Sequence, residues 1–222
     1  MRVVVPFAAS EPKTRLEGVL SAAERSSFAE AMLADVLAAV RATGRDPEVL
    51  ATAPVAVDAP VTVDDRPLTP AVNAVLAETE GPVAIVMADL ALATPDALAR
   101  LFGTDAEVAL VPGRGGGTNA LVARHPEFRV DYHGTSYLDH LEIAREVGAE
   151  VEVVDSHRLA TDVDERKDLA EVLIHGKSEA QRASEMRAVK PRARSESFKW
   201  LKEAGFELAS DESRVGVVRD GI

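Results

Sequence analysis

Short, continuously apolar runs alternate with amphipathic stretches along most of this chain, and no other feature restricts its fold so strongly. Arg2–Phe7 (RVVVPF) and Pro82–Met87 (PVAIVM) place apolar residues at successive positions, the pattern of strands buried on both faces. Between them, Phe28, Met32, Val36 and Val40 recur every fourth residue behind Ser21-Ala22-Ala23-Glu24, which has the spacing of a helix capping box. Gly44 is expected to stop that helix. Glu48–Ala53 and Val61–Val63 read as short strands, and Thr69–Glu78 as a helix.

The alternation continues after Asp89. A helix is expected over Pro95–Phe102, a strand over Glu107–Pro112, a glycine loop at Gly113–Gly117 and an extended piece at Asn119–Ala123. A helix over Ser136–Val147, a strand over Glu150–Val154 and a helix after Asp164 complete the unit. Apolar strands separated by helices predict an α/β fold: three layers, with a mainly parallel or mixed sheet covered on both faces. Ligands of such sheets gather beyond the carboxyl ends of the strands.

Composition shifts near Gly176. Lys177–Arg194 is rich in charge and serine, and Lys190-Pro191-Arg192 interrupts any helix there. Residues 1–176 are therefore expected to form the main domain. Residues 177–222 are expected to be a C-terminal extension docking on that domain or on a partner subunit, with a short helix at Ser197–Ala204 and a strand at Arg214–Val218. Trp200 reads as a packing anchor.

Composition excludes several classes. With 37 Asp+Glu against 25 Lys+Arg, the formal net charge of −12 disfavours general binding to a nucleic-acid backbone. The absence of cysteine excludes a disulfide scaffold, a thiolate metal site and a Cys nucleophile, and fits a reducing cytoplasm. No apolar run approaches the roughly 20 residues of a membrane span, and a strand beginning at Arg2 leaves no room ahead of it for a signal segment. Scarce lysine with abundant carboxylates suits a salty cytoplasm, or simply an acidic protein.

Four constellations have residue types suited to anion or metal chemistry. Lys13 and Arg15, in the loop after the first strand, sit where a phosphate chain would need cations, although a connector also carries such charges. Asp89 ends a buried strand, as either a turn residue or an oxygen ligand for Mg²⁺. Gly116 and Gly117 let backbone N–H groups approach a phosphate, and Thr118 adds a hydroxyl; the run lacks the Gly-Lys-Ser/Thr of a Walker loop. Ser136 stands at an expected helix start, and Asp162 and Asp164, two apart in an extended segment, are expected to point the same way, so that both could address one metal centre. Capping explains Ser136 and Asp164 equally well. The five histidines show no metal-ligand spacing, and structural or surface roles are expected for them.

In order, these pieces resemble one family. Lys13-Thr14-Arg15-Leu16, Leu20-Ser21, Glu24-Arg25, Met32-Leu33 and Asp35-Val36 are similar to the N-terminal signature of the 2-phospho-L-lactate guanylyltransferase (CofC) family of coenzyme F420 biosynthesis. Asn73, the strand ending at Asp89, Gly116–Leu121, Ser136…His140, Asp155-Ser156 and Asp162-Val163-Asp164…Asp168-Leu169 continue the resemblance. It implies a nucleotide-diphosphosugar-transferase-like, Rossmann-like fold, with residues 1–176 as the nucleotidyltransferase domain. The implied reaction joins GMP from GTP to 2-phospho-L-lactate and releases pyrophosphate, with no nucleic-acid or membrane partner.

By the same resemblance Asp89, Asp162 and Asp164 would coordinate Mg²⁺, and Thr118 and Ser136 would bind the small acid. Lys13 and Arg15 would meet the triphosphate, with Gly116 and Gly117 on the nucleotide and Asn73 near its base or ribose. A cytoplasmic homodimer is expected. Ala91 stands where the family usually has proline after Asp-Leu, and His133 where glycine is common. Phosphoenolpyruvate, 3-phosphoglycerate or a sugar phosphate as acceptor, or a nucleotide-binding module without turnover, are the alternatives.

Overall fold

The computed structural model describes residues 1–10, 12–185, 195–210 and 215–219. Seven strands form the main sheet: β1 (Arg2–Phe7), β2 (Pro47–Ala51), β3 (Val61–Val63), β4 (Val83–Val86), β5 (Val108–Pro112), β6 (Thr118–Ala123) and β7 (Val151–Val153). Their order is β3-β2-β1-β4-β6-β5-β7. All pair in parallel except β6, which runs antiparallel to both β4 and β5.

The strands read as continuous apolar runs because both faces are covered. Val3, Val5 and Phe7 of β1 and Ala84 and Val86 of β4 enter one core, while Val4, Val83 and Ile85 enter the other. Successive side chains leave a strand on opposite faces, so one sequence run supplies two cores. The first core is closed by α1 (Ala22–Arg41), α3 (Pro95–Phe102) and the first half of α6 (Asp168–Glu185), and the second by α2 (Leu68–Glu78) and α4 (Ser136–Glu146).

Local signals fix the helix ends. The capping box at Ser21 and Glu24 is formed in both directions, and Gly44 turns the chain away from α1 with a φ of 78°. Besides the 3₁₀ turn Thr14–Leu16, two elements went unread in the sequence. A one-turn helix, α5 (His157–Ala160), follows β7, and a strand, β8 (Phe206–Ser210), pairs antiparallel with β9 (Val215–Arg219). Both are short.

The compositional shift at Gly176 marks no break in structure, since α6 runs through it to Glu185. Gly176 is small for a packing reason: a Cβ there would overlap the ring of Phe198. That ring belongs to α7 (Glu196–Glu203), which lies on α1 with Phe198 and Leu201 buried in the first core. Trp200 stacks at a tilt on Phe28, with centroids 5.1 Å apart, and donates through Nε1 to Ser27 Oγ at 3.0 Å. The described part of the tail thus packs on its own chain. Lys190, Pro191 and Arg192, and Arg214, lie outside the described residues. Among the described residues no helix is long and apolar enough to cross a membrane.

Candidate functional site

The chain leaves β1 toward β2 and β4 toward β5, in opposite directions along the strand order, so a crevice opens where the carboxyl ends of β1 and β4 diverge, the place where such sheets hold ligands. A cavity of about 660 Å³ occupies it. Phe7, Leu50, Leu68 and Ala71 make an apolar portion, and Lys13, Arg15, Asp89 and Asp164 a charged one. Antiparallel β6 matters here. Because it runs backwards, its first residues, Thr118 and Asn119, and the glycine loop before them lie at the same edge as the carboxyl ends of its neighbours.

Lys13 is the centre of the charged portion. It is the non-glycine residue with positive φ among those described, at φ 56°, a backbone conformation that costs a residue with a Cβ about 1 kcal/mol or more. The strained turn starts the short 3₁₀ helix Thr14–Leu16 and directs the side chain inward. Its Nζ donates to Asp89 Oδ2 at 2.7 Å and to Asp164 Oδ1 at 2.6 Å, with 10% of the side chain exposed. Burial pulls the ammonium pKa down, but the charges of Asp89 and Asp164 outweigh it and hold the group above its usual value. Arg15, largely exposed, reaches Asp164 Oδ2 at 3.3 Å.

Val163 is buried between Asp162 and Asp164, and Asp164 meets Lys13 and Arg15. Val163 N donates to Asp89 O at 3.2 Å, which ties this segment to the end of β4. Asp162 Oδ1 accepts from Asn119 Nδ2 at 3.1 Å. Burial lifts the Asp162 carboxyl above its usual range against that hydrogen bond, and the negative charges of Asp89 and Asp164 add to the lift. The other oxygen of Asp89, Oδ1, is buried without a partner. Hard carboxylate oxygens, one of them unpaired and another carboxyl raised by its acidic neighbours, suit a cation such as Mg²⁺.

The remaining residues form a second group behind the glycine loop. Gly116, at φ 86°, turns the chain, and Thr118 N donates to Ser136 Oγ at 3.0 Å. Thr118 Oγ1 meets His140 Nδ1 at 2.8 Å. His140 Nε2 accepts from Asp131 N at 2.9 Å, so the proton of the neutral ring resides on Nδ1 and is donated to Thr118. The hydroxyl proton of Thr118 is left free for another acceptor. Thr118 and Ser136 are themselves buried, at 3% and 4% exposure.

Asn73 stands apart. Its side-chain amide exchanges two 2.9 Å hydrogen bonds with the backbone of Val130; like Asp162, Gly116, Gly117, Thr118 and Ser136, it does not line the cavity. His133 is exposed and pairs with Asp131 at 3.0 Å. Ala91 does not loosen its turn, which Ala93 N closes on Leu90 O at 2.8 Å.

Three participants escaped the sequence reading. Asn119 joins the glycine loop to the metal-type segment through Asp162 and through Leu159 O at 3.0 Å. His140 is a buried positioning group, and only its place one helical turn after Ser136 hints at that. Arg66, held by Asp64 at 2.9 Å, lies at the cavity rim; its position just past β3, at the ligand edge, was the available signal.

A protein-family model described as "Guanylyl transferase CofC like" matches residues 1–196. A 2-phospho-L-lactate guanylyltransferase of Natrialba magadii is 56% identical over 243 residues, covering 99% of this chain and 99% of that one. The protein of that name from Haloferax volcanii is 58% identical over 221 residues, again with 99% of each chain covered. Among solved structures, a putative nucleotide-diphospho-sugar transferase from Desulfovibrio desulfuricans is similar with a TM-score of 0.67 at 18% identity, covering 91% of this chain and 95% of that one. A nucleotidyl transferase from Methanothermobacter gives 0.53 at 15% identity, over 78% and 97%. These likenesses show a nucleotide-diphospho-sugar-transferase-like fold.

Proposed function

We propose, since the chain belongs to the family of CofC-like guanylyl transferases, that it is the nucleotidyltransferase that joins GMP from GTP to 2-phospho-L-lactate. The products are lactyl-2-diphospho-5′-guanosine and pyrophosphate. The observation that carries this reading is the convergence of Lys13, Arg15, Asp89 and Asp164 on one cavity at the ligand edge of the sheet.

The reaction asks little of proton transfer. An oxygen of the acceptor phosphate, already anionic at neutral pH, bonds to the α-phosphorus of GTP, and the bond from that phosphorus to the bridging oxygen breaks as pyrophosphate leaves. The barrier lies in bringing two polyanions together in line. Lys13 and Arg15 offset that repulsion at the triphosphate, and Lys13 exchanges its carboxylate partners for phosphate oxygens. Asp89, Asp162 and Asp164 would hold Mg²⁺, which when bound neutralises phosphate charge and orients the leaving group.

Thr118 holds the small acid through its free hydroxyl proton, and His140 fixes that hydroxyl in place. Ser136 and the backbone of Gly116 and Gly117 support the same pocket. The apolar wall of Phe7, Leu50 and Leu68 receives the flat face of guanine. A homodimer in the cytoplasm completes the reading, and the acidic surface matches relatives from halophilic organisms.

Pyrophosphate release tests it. GTP, ATP and CTP are crossed with 2-phospho-L-lactate, phosphoenolpyruvate and 3-phosphoglycerate, with Mg²⁺ present or withheld. Release is expected from GTP with 2-phospho-L-lactate and Mg²⁺. Release with another acid alone would change the substrate, and nucleotide binding without release in any combination would overturn the enzymatic reading.

A further inference from the structure

Away from the crevice, the fold gathers groups that the sequence keeps apart. His157 opens α5, while Glu171 and His175 lie four residues apart on one face of α6. His157 Nε2 is 3.8 Å from Glu171 Oε2, and His175 Nε2 is 3.6 Å from the same oxygen. The two rings are tilted with centroids 5.5 Å apart, and one ligand atom from each of the three groups lies within 4.8 Å of the others. Among the described residues this is the trio of such groups that meets so closely; the three aspartates of the crevice form no such group. Sequence spacing does not show this arrangement, because His157 and the Glu171–His175 pair come from different elements.

The separations have a chemical meaning. At 3.6 and 3.8 Å the imidazole nitrogens are too far from the carboxylate for hydrogen bonds. Ligands at about 2.0–2.2 Å from a tetrahedral Zn²⁺ lie roughly 3.3–3.6 Å from one another. The two histidine–glutamate separations are within a few tenths of an ångström of that spacing, and the third, within 4.8 Å, would close as an ion drew the exposed His157 ring inward. Two imidazoles and one carboxylate favour a borderline-soft transition ion over Mg²⁺. His157, at 57% side-chain exposure, leaves a route for the ion and a fourth position for water. His175 is partly buried, and burial followed by the charge of Arg158 holds its pKa below the usual value. Arg158 would repel a cation, but Glu179 pairs with it at 3.4 Å and offsets its charge.

We infer that His157, Glu171 and His175 form a second cation site, separate from the aspartate cluster, which takes a divalent transition ion of the Zn²⁺ class and ties α5 to α6. Its position gives it a structural consequence. The segment between these helices carries Asp162 and Asp164, and its two ends are α5 and the start of α6, where Asp168 Oδ2 accepts from the backbone N of Asp164 and Glu165 at 3.2 and 2.8 Å. An ion bridging the helices braces that segment from both sides.

Calorimetric titration of the full chain tests this, with the protein stripped by EDTA and excess Mg²⁺ present to occupy the aspartates. Zn²⁺ is expected to bind one equivalent in the wild type. His157→Gln and His175→Gln should each weaken it by about tenfold or more, while Asp162→Asn leaves it unchanged. Amide exchange across 161–167 should slow with Zn²⁺ in the wild type and not in either histidine variant. His157 is exposed enough that its variant should fold even if that of His175 does not, and circular dichroism checks both. No Zn²⁺ uptake by the wild type, or uptake equal in both histidine variants, would overturn the site.

Discussion

At the scale of single residues, Lys13 and His140 show how this molecule holds charge and hydrogen in fixed places. Lys13 accepts backbone strain to stand between two carboxylates. His140 is fully buried and kept neutral, its pKa pushed down by burial from 6.5 to about 4. The unfolded chain therefore takes up that proton first, and stability present above pH 6.5 is lost as pH falls toward 4. The loss is on the order of 3 kcal/mol from this group. Thermal melts at pH 7 and pH 5 should show a larger drop for the wild type than for His140→Gln, whose side chain cannot take the proton; equal drops would assign the acid sensitivity elsewhere. Thr118→Val keeps the volume and removes the hydroxyl, so KM for the small acid should rise about tenfold, the loss of one hydrogen bond, with KM for GTP little changed. An equal rise for both substrates would remove Thr118 from the acid subsite.

At the scale of elements, strands and long helices were legible and short connectors were not. β1 and β4 are buried on both faces, and their apolar runs say so without reference to anything distant. α5 has four residues, too few for a helical period, and is fixed by what it packs against; β8, as long as β2, was missed although Phe206 and Leu208 alternate in it. The same limit applied to the site. Lys13, Arg15, Asp89, Asp162 and Asp164 could be nominated because each follows a strand or sits in an extended segment, whereas Asn73 was nominated by the family resemblance alone and its amide is spent on Val130.

The docking of α7 is likewise a tertiary fact. Asp35 of α1 accepts from Ser195 Oγ at 2.8 Å, Glu196 N at 2.6 Å, and Ser197 N and Oγ at 3.0 and 2.5 Å. One carboxylate thereby caps a helix from another part of the chain. Asp35→Ala should cost about 2 kcal/mol, read in urea unfolding. Gly176→Ala, which forces a methyl into Phe198, should cost about 1–3 kcal/mol. A stability change under about 0.5 kcal/mol in either, the range of ordinary surface substitutions, would mean that α7 contributes little to the folded body.

At the scale of the whole molecule, an acidic chain sets two cations, Lys13 and Arg15, among carboxylates in its crevice. The net charge of −12 disfavours a nucleic-acid backbone without disfavouring a nucleotide, because in the proposed site Lys13 and Arg15 would act over a few ångströms inside a crevice, where salt screens them less than it screens the surface. Concentrated KCl screens the repulsion among surface carboxylates, so thermal stability should rise from low salt to molar KCl; a fall would leave the acidic surface without this explanation. The central claim is that the carboxylates at the ligand edge hold the ion that lets GTP react. Its most direct measurement is the formation of lactyl-2-diphospho-5′-guanosine from GTP and 2-phospho-L-lactate across a Mg²⁺ titration, in the wild type and in Asp89→Asn and Asp162→Asn, with circular dichroism confirming the fold. The account predicts Mg²⁺-dependent product in the wild type and a fall of about 100-fold or more in both variants; wild-type rates in either folded variant would contradict it.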